Sequence, residues 1–134
     1  LNLHLSEEQC KFFNIKEGSW ITCVERVRKV DGVPMVLETN YFHPFCEFLT
    51  GEDLTGSIYD LLTKKYHIYP VKRGLNEVGI INAGEKEARL LEMKEGISVL
   101  TSYVQVYDSK DNPVHEVSQV VRVDRPDIFK YYIN

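Results

Sequence analysis

The chain has 134 residues, 43% of them hydrophobic and 27% charged, with a formal charge of -4 at pH 7. That length suits a single domain with a core of its own, and the acidic balance argues against a nucleic-acid surface, which carries a basic face or stripe. No apolar run is long enough to span a bilayer, and LNLHLSEEQ lacks the basic start and apolar middle of a signal peptide, so a cytoplasmic location without membrane contact is expected.

Ser6 followed by Gln9 forms a capping-box pattern and predicts a short helix from Glu7 to Phe13. After Lys16-Glu17-Gly18 the residues from Ser19 to Val30 alternate β-branched or aromatic with polar, which predicts a strand. Asp31-Gly32 makes a hairpin turn, and Pro34 to Phe42 is the return strand. Arg26 and Arg28 lie two apart in the first strand and share a face. Two guanidiniums on one face attract phosphate or carboxylate, because each presents a planar fork of donors. The competing reading is a pair of edge charges that keeps a sheet soluble.

The register of this hairpin bears on Glu38. A strict two-residue turn pairs Arg28 with Met35 and Arg26 with Leu37, sending Glu38 to the other face, whereas a three-residue loop through Val33 pairs Arg26 with Glu38. The longer loop, or a bulge, is expected.

His43-Pro44-Phe45-Cys46 breaks the sheet pattern, and a loop or single helical turn reaches Leu49. Ile58, Leu61, Leu62 and Tyr66 share one face of a helix capped by Thr55 or Ser57. Val71 to Ile81 is a strand, and Glu85 to Met93 a helix with Ala88 and Leu91 inward. Ile97 to Tyr107 and Val114 to Val123 form a second hairpin around Asp111-Asn112-Pro113. Arg125-Pro126-Asp127 opens a last short helix with the aromatic tail Phe129, Tyr131 and Tyr132. Cys10, Cys23 and Cys46 are odd in number and form no CxxC pair, so they read as reduced structural thiols, with neither metal nor cofactor implied. The whole chain, 1–134, is expected to be one α+β domain.

The pattern repeats. Ile15-Lys16-Glu17-Gly18 and Met93-Lys94-Glu95-Gly96 each follow a short helix and precede a long strand that turns at an Asp-containing segment with a proline behind it. The first unit returns through Glu38 and the second through Glu116, but Val104 and Val106 stand where the first has Arg26 and Arg28. The scaffold itself therefore did not need arginines there.

The order of helix, eGs, a strand ending R-x-R, dG, P, E, then GSiY, a strand, a helix with eG, and a last hairpin with vhE-x-S and DR-x-x-F resembles the UTRA domain over Leu5 to Phe129. That is the effector-binding and dimerisation module of HutC-type bacterial transcription regulators in the GntR superfamily. The resemblance implies a chorismate-lyase-like fold, an antiparallel sheet with flanking helices, in a homodimer that reaches DNA through a winged-helix domain. No recognition helix precedes Leu5, so the chain reads as the C-terminal domain alone. Carried over residue by residue, the family site corresponds to Arg26, Arg28, Glu38, Ser57, Tyr59, Glu116 and Ser118. Members often have an aromatic hydroxyl shortly after the late glutamate, where this chain has Val121 and Arg122.

A helix starting at Gly56-Ser57 would add backbone donors and a positive dipole end to the arginine pair. Glu38 and Glu116 would then accept from hydroxyls or an amine. The expected effector is a small anionic metabolite, best a phosphorylated sugar, with an amino acid or a urocanate-like carboxylate as alternatives. The expectation is a sensor and not an enzyme; the alternative is a chorismate-lyase-like enzyme acting on a small dicarboxylate. Trp20 reads as a core or dimer-interface residue, His115 as a surface histidine, and Tyr59 as either ligand contact or core filler.

Overall fold

A computed structural model describes residues 5–128. Its elements run α1 (Glu7–Phe13), β1 (Thr22–Val30), β2 (Val33–Phe42), a 3-10 segment (Pro44–Gly51), α2 (Ile58–Tyr66), β3 (Pro70–Asn82), α3 (Glu85–Leu91), β4 (Ser98–Asp108) and β5 (Pro113–Arg122). The strands make a five-stranded antiparallel sheet in the order β1-β2-β5-β4-β3, flanked by helices, as expected for a chorismate-lyase-like α+β fold. Both hairpins therefore have spatially adjacent strands, and β2 and β5 meet in the middle.

The helix ends follow from local chemistry. Ser6 accepts from the Gln9 backbone while Gln9 returns to the Ser6 N–H at 3.0 Å, satisfying two donors that the first turn of α1 leaves open. Asn14, His67 and Glu92 close α1, α2 and α3 in the left-handed region, at φ 54, 56 and 52. The repeat is visible in these details. Gly18 (φ 83) and Gly96 (φ 89) occupy the left-handed region four residues after Asn14 and Glu92, and Asp31 (φ 51) and Asp111 (φ 65) do so in the two hairpin turns. A side chain at either glycine would be strained.

Two compact units divide the chain, and each has its own core. The first comprises residues 1–24, 40–75 and 105–116. In it Ile58 and Leu62 of α2 pack with Phe42, Cys46, Leu49, Val24 and Val114, a burial worth about 2 kcal/mol for each large aliphatic side chain. The second comprises residues 25–39, 76–104 and 117–134, and packs Met35, Val36, Val121 and Ile128 together.

The expected long loop between β1 and β2 is not present. The strands resume at Val33 after Asp31 and Gly32, both at positive φ, which is the short hairpin turn. The last helical segment covers residues 126–128, and the tail from Phe129 onward lies outside the described residues.

Candidate functional site

In the second unit β1 and β2 bring three of the expected residues together. Arg26 Nη2 donates to Glu38 Oε2 at 3.0 Å, and Arg28 Nη1 lies 3.9 Å from the same oxygen. The Glu38 side chain is 9% exposed and that of Arg26 22%, whereas Arg28 is largely open to solvent. Strict alternation from a two-residue turn would have parted Arg26 from Glu38, so loop length alone did not set which side chains meet. The bulge that was the alternative expectation also brings Arg26 and Glu38 to one face, and Val24 and Phe42, which strict alternation would part in the same way, share one core. One carboxylate holding two guanidiniums keeps like charges side by side, a cluster that an incoming anion can compete for.

The other expected residues fall on different surfaces. In the first unit Ser57 caps α2, its hydroxyl accepting from Asp60 N at 3.1 Å. Tyr59, the second residue of that helix, is 43% exposed and so is not core filler; its hydroxyl lies 2.7 Å from His115 Nε2. His115 itself is 2% exposed and stacks on Phe42, with ring centroids 4.9 Å apart. The surface position expected for it is thus corrected: α2 and Phe42 cover it, and burial pushes its pKa down to about 4, leaving the imidazole neutral.

Glu116 follows His115 in β5 and therefore points to the opposite face. There it is fully buried, accepting from Gln9 Nε2 of α1 at 3.0 Å and Gln105 Nε2 of β4 at 3.4 Å. Burial raises its pKa to about 7, the Gln9 hydrogen bond opposing the shift and the charge of Glu8 adding to it. Tyr59 and Glu116 were expected in one pocket; the structure puts them on opposite faces of the sheet, because consecutive strand residues alternate. Ser118, in the second unit, lines a cavity of about 300 Å³ with Glu77, Thr101 and Tyr103.

Three further residues clarify the surroundings. Arg122 is buried and structural: Nη1 donates to Leu91 O at 2.9 Å and Pro34 O at 3.3 Å, while Nε and Nη2 grip Asp124. Trp20 is 66% exposed, so it is not a core residue; with His43 and Phe45 it lines an open groove of about 1060 Å³ in the first unit. Asn40, 3% exposed on β2, was not singled out from the sequence at all. Its signal was weak: one amide in a strand otherwise rich in apolar residues.

Residues 2–127 match the family described as the UTRA domain. The fold is similar to that of the effector domain of PhnF from Mycobacterium smegmatis, at 22% identity over 92% of this chain and 76% of that one, with a TM-score of 0.83. It is similar also to the C-terminal domain of Yurk from Bacillus subtilis, at 17% identity over 90% and 83% of the two chains, TM-score 0.79. A GntR-family transcriptional regulator from Enterococcus faecalis V583 gives 21% identity, 92% and 88% coverage and the same TM-score of 0.79. At such identities the likeness establishes the fold alone. No curated protein matches the chain.

Proposed function

Because the chain belongs to the UTRA-domain family, we propose that it is the effector-sensing domain of a HutC-type GntR-family transcription regulator, with a small anionic metabolite, best a phosphorylated sugar, as its ligand. The observation that supports this most is the arrangement of Arg26 and Arg28 on one oxygen of Glu38. A phosphate offers more acceptor oxygens and more charge than that carboxylate. Its arrival exchanges one partner of the guanidiniums for another and frees Glu38 to accept from a hydroxyl or amine of the ligand. Ligand binding of this kind shifts an equilibrium between states and so the affinity of attached DNA-binding domains, a coupling and not a reaction. DNA is reached through a winged-helix domain outside this chain, and the setting is the cytoplasm.

The regulator acts as a homodimer in this reading. β3 is the last strand of the sheet, and its Val78, Ile80 and Ile81 are 68%, 72% and 43% exposed. An exposed apolar edge strand is a template for pairing with a second copy. Sedimentation at high concentration that returns only monomer counts against it.

A thermal-shift panel of phosphorylated sugars, their unphosphorylated counterparts and amino acids tests the sensor reading, since a ligand that binds only the folded state raises Tm by mass action. Arg26→Ala is expected to abolish the shift caused by any anionic hit; an unchanged shift sinks the assignment. The enzyme alternative is checked by incubating the domain with chorismate, where appearance of pyruvate would overturn the preference for a sensor.

A further inference from the structure

Within the first unit Glu116 has no exposed surface, and its two oxygens are held by neutral amides: Gln9 Nε2 of α1 on Oε1 and Gln105 Nε2 of β4 on Oε2. No ion pair among the described residues includes it, and the charge acting on it is that of Glu8, of like sign. An ionised carboxylate so placed has no cation to offset its lost hydration.

The helix lying against it is α1. Seven residues are too few to make a stable helix in water, so α1 depends on its contacts with the sheet. Its two ends are fixed differently. At the C-terminal end Phe13 is buried, Phe12 meets Tyr107 edge-on with ring centroids 5.3 Å apart, and Phe13 O lies 3.0 Å from His43 Nε2. At the N-terminal end Gln9 reaches Glu116, and the oxygen of the same amide accepts from Ser6 N to complete the capping box. The carboxyl group therefore grips the residue that starts the helix.

We propose that α1 is a pH-gated clasp: it is held on the sheet while Glu116 is protonated, and loss of that proton loosens its N-terminal half and admits water to the carboxylate. The sign follows from burial, which raises the Glu116 pKa from 4.5 to about 7 with α1 in place, whereas a carboxyl in water keeps the ordinary value. With respect to this group, docking is strongest below about pH 4.5 and weakens as pH rises through 7. The other titratable groups around it are Cys10 on α1, Tyr103 and Tyr107 flanking Gln105 on β4 and, in the register that His43 N sets on Val114 O, Tyr41 and His43 on β2. Burial lowers the His43 pKa from 6.5, the Phe13 bond opposing it, so His43 acts the other way and weakens the folded state as pH falls below 6.5.

Hydrogen exchange between pH 5.5 and 8.5, on the domain and on Glu116→Gln, tests the clasp. The Cys10 and Ile15 amides, bonded to Ser6 O and Cys10 O, are expected to be less protected than the amides of β5, because the helix opens by itself. Across that range their protection is expected to fall about 30-fold further in the wild type than in the variant, the His43 contribution being common to both. Protection equal to that of β5 at every pH shows that α1 opens only with the whole fold and overturns the proposal; equal pH slopes in the two proteins overturn it as well. Carbon-13 titration of the Glu116 carboxyl in the wild type decides the matter even if the variant does not fold. A midpoint near 4.5, or a titration that leaves α1 protection unchanged, defeats the clasp.

Discussion

Glu38 and Glu116 hold equivalent places in the two halves of the repeat, yet they live in different chemistries. Glu38 is nearly buried with two arginines on one of its oxygens. Glu116 is fully buried with two amides and no ion pair among the described residues, and its pKa rises to about 7. The duplicated strand placed a carboxylate at both positions, and the strand beside it decided what that carboxylate became. Arg26 and Arg28 in one half correspond to Val104 and Val106 in the other. An acidic side chain in a sheet takes its role from the partner supplied across the hairpin, since only a cation or several donors offset the loss of hydration.

The contrast is broken most strongly by Arg26→Ala, which leaves Glu38 with the distant and exposed Arg28 alone; a loss of about 3 kcal/mol in urea unfolding is expected at pH 7. Next comes Glu116→Gln. Burial lifts Glu116 from an ordinary value of 4.5 to about 7, so the folded state binds its proton more tightly than the unfolded chain. Wild-type stability is therefore greatest, with respect to this group, below about pH 4.5 and declines toward pH 7. The glutamine variant is expected to flatten that slope and to be more stable than wild type at pH 8 by about 2 kcal/mol, read from melts across pH. Gln9→Ala removes a donor from Glu116 and half of the α1 capping box, costing about 1 kcal/mol and moving the Glu116 midpoint further up, followed by NMR titration. The smallest effect belongs to Arg28→Ala: at 3.9 Å and 57% exposure, its pairing with Glu38 is worth less than about 0.5 kcal/mol to stability. If Arg28→Ala equals Arg26→Ala in cost, the two arginines act as one unit and the ranking is wrong.

Much of the local structure was readable in the residues. Ser6 and Gln9 announced α1, Asp31-Gly32 the first turn, and the two KEG segments the repeat, because caps, turns and periodicity are properties of a few consecutive side chains. The site was readable in part. Arg26, Arg28 and Glu38 could be named, but their meeting was left to a longer loop or a bulge, and of these the two-residue turn at Asp31-Gly32 removes only the loop. Tyr59 was named without its partner, since nothing within ten residues of either shows that α2 lies over His115.

Local chemistry in the chain thus settled the elements, their order, and the half of the repeat that carries the guanidiniums. Assembly of the strands settled burial and facing: His115 beneath Tyr59, Glu116 turned away toward Gln9, Asn40 sealed with an amide nitrogen that has no partner among the described residues, and Arg122 spent on the carbonyls of Leu91 and Pro34. Those outcomes depend on residues far apart in the chain, and a side chain's hydration, and with it its charge state, is known only once the neighbours that exclude water are in place.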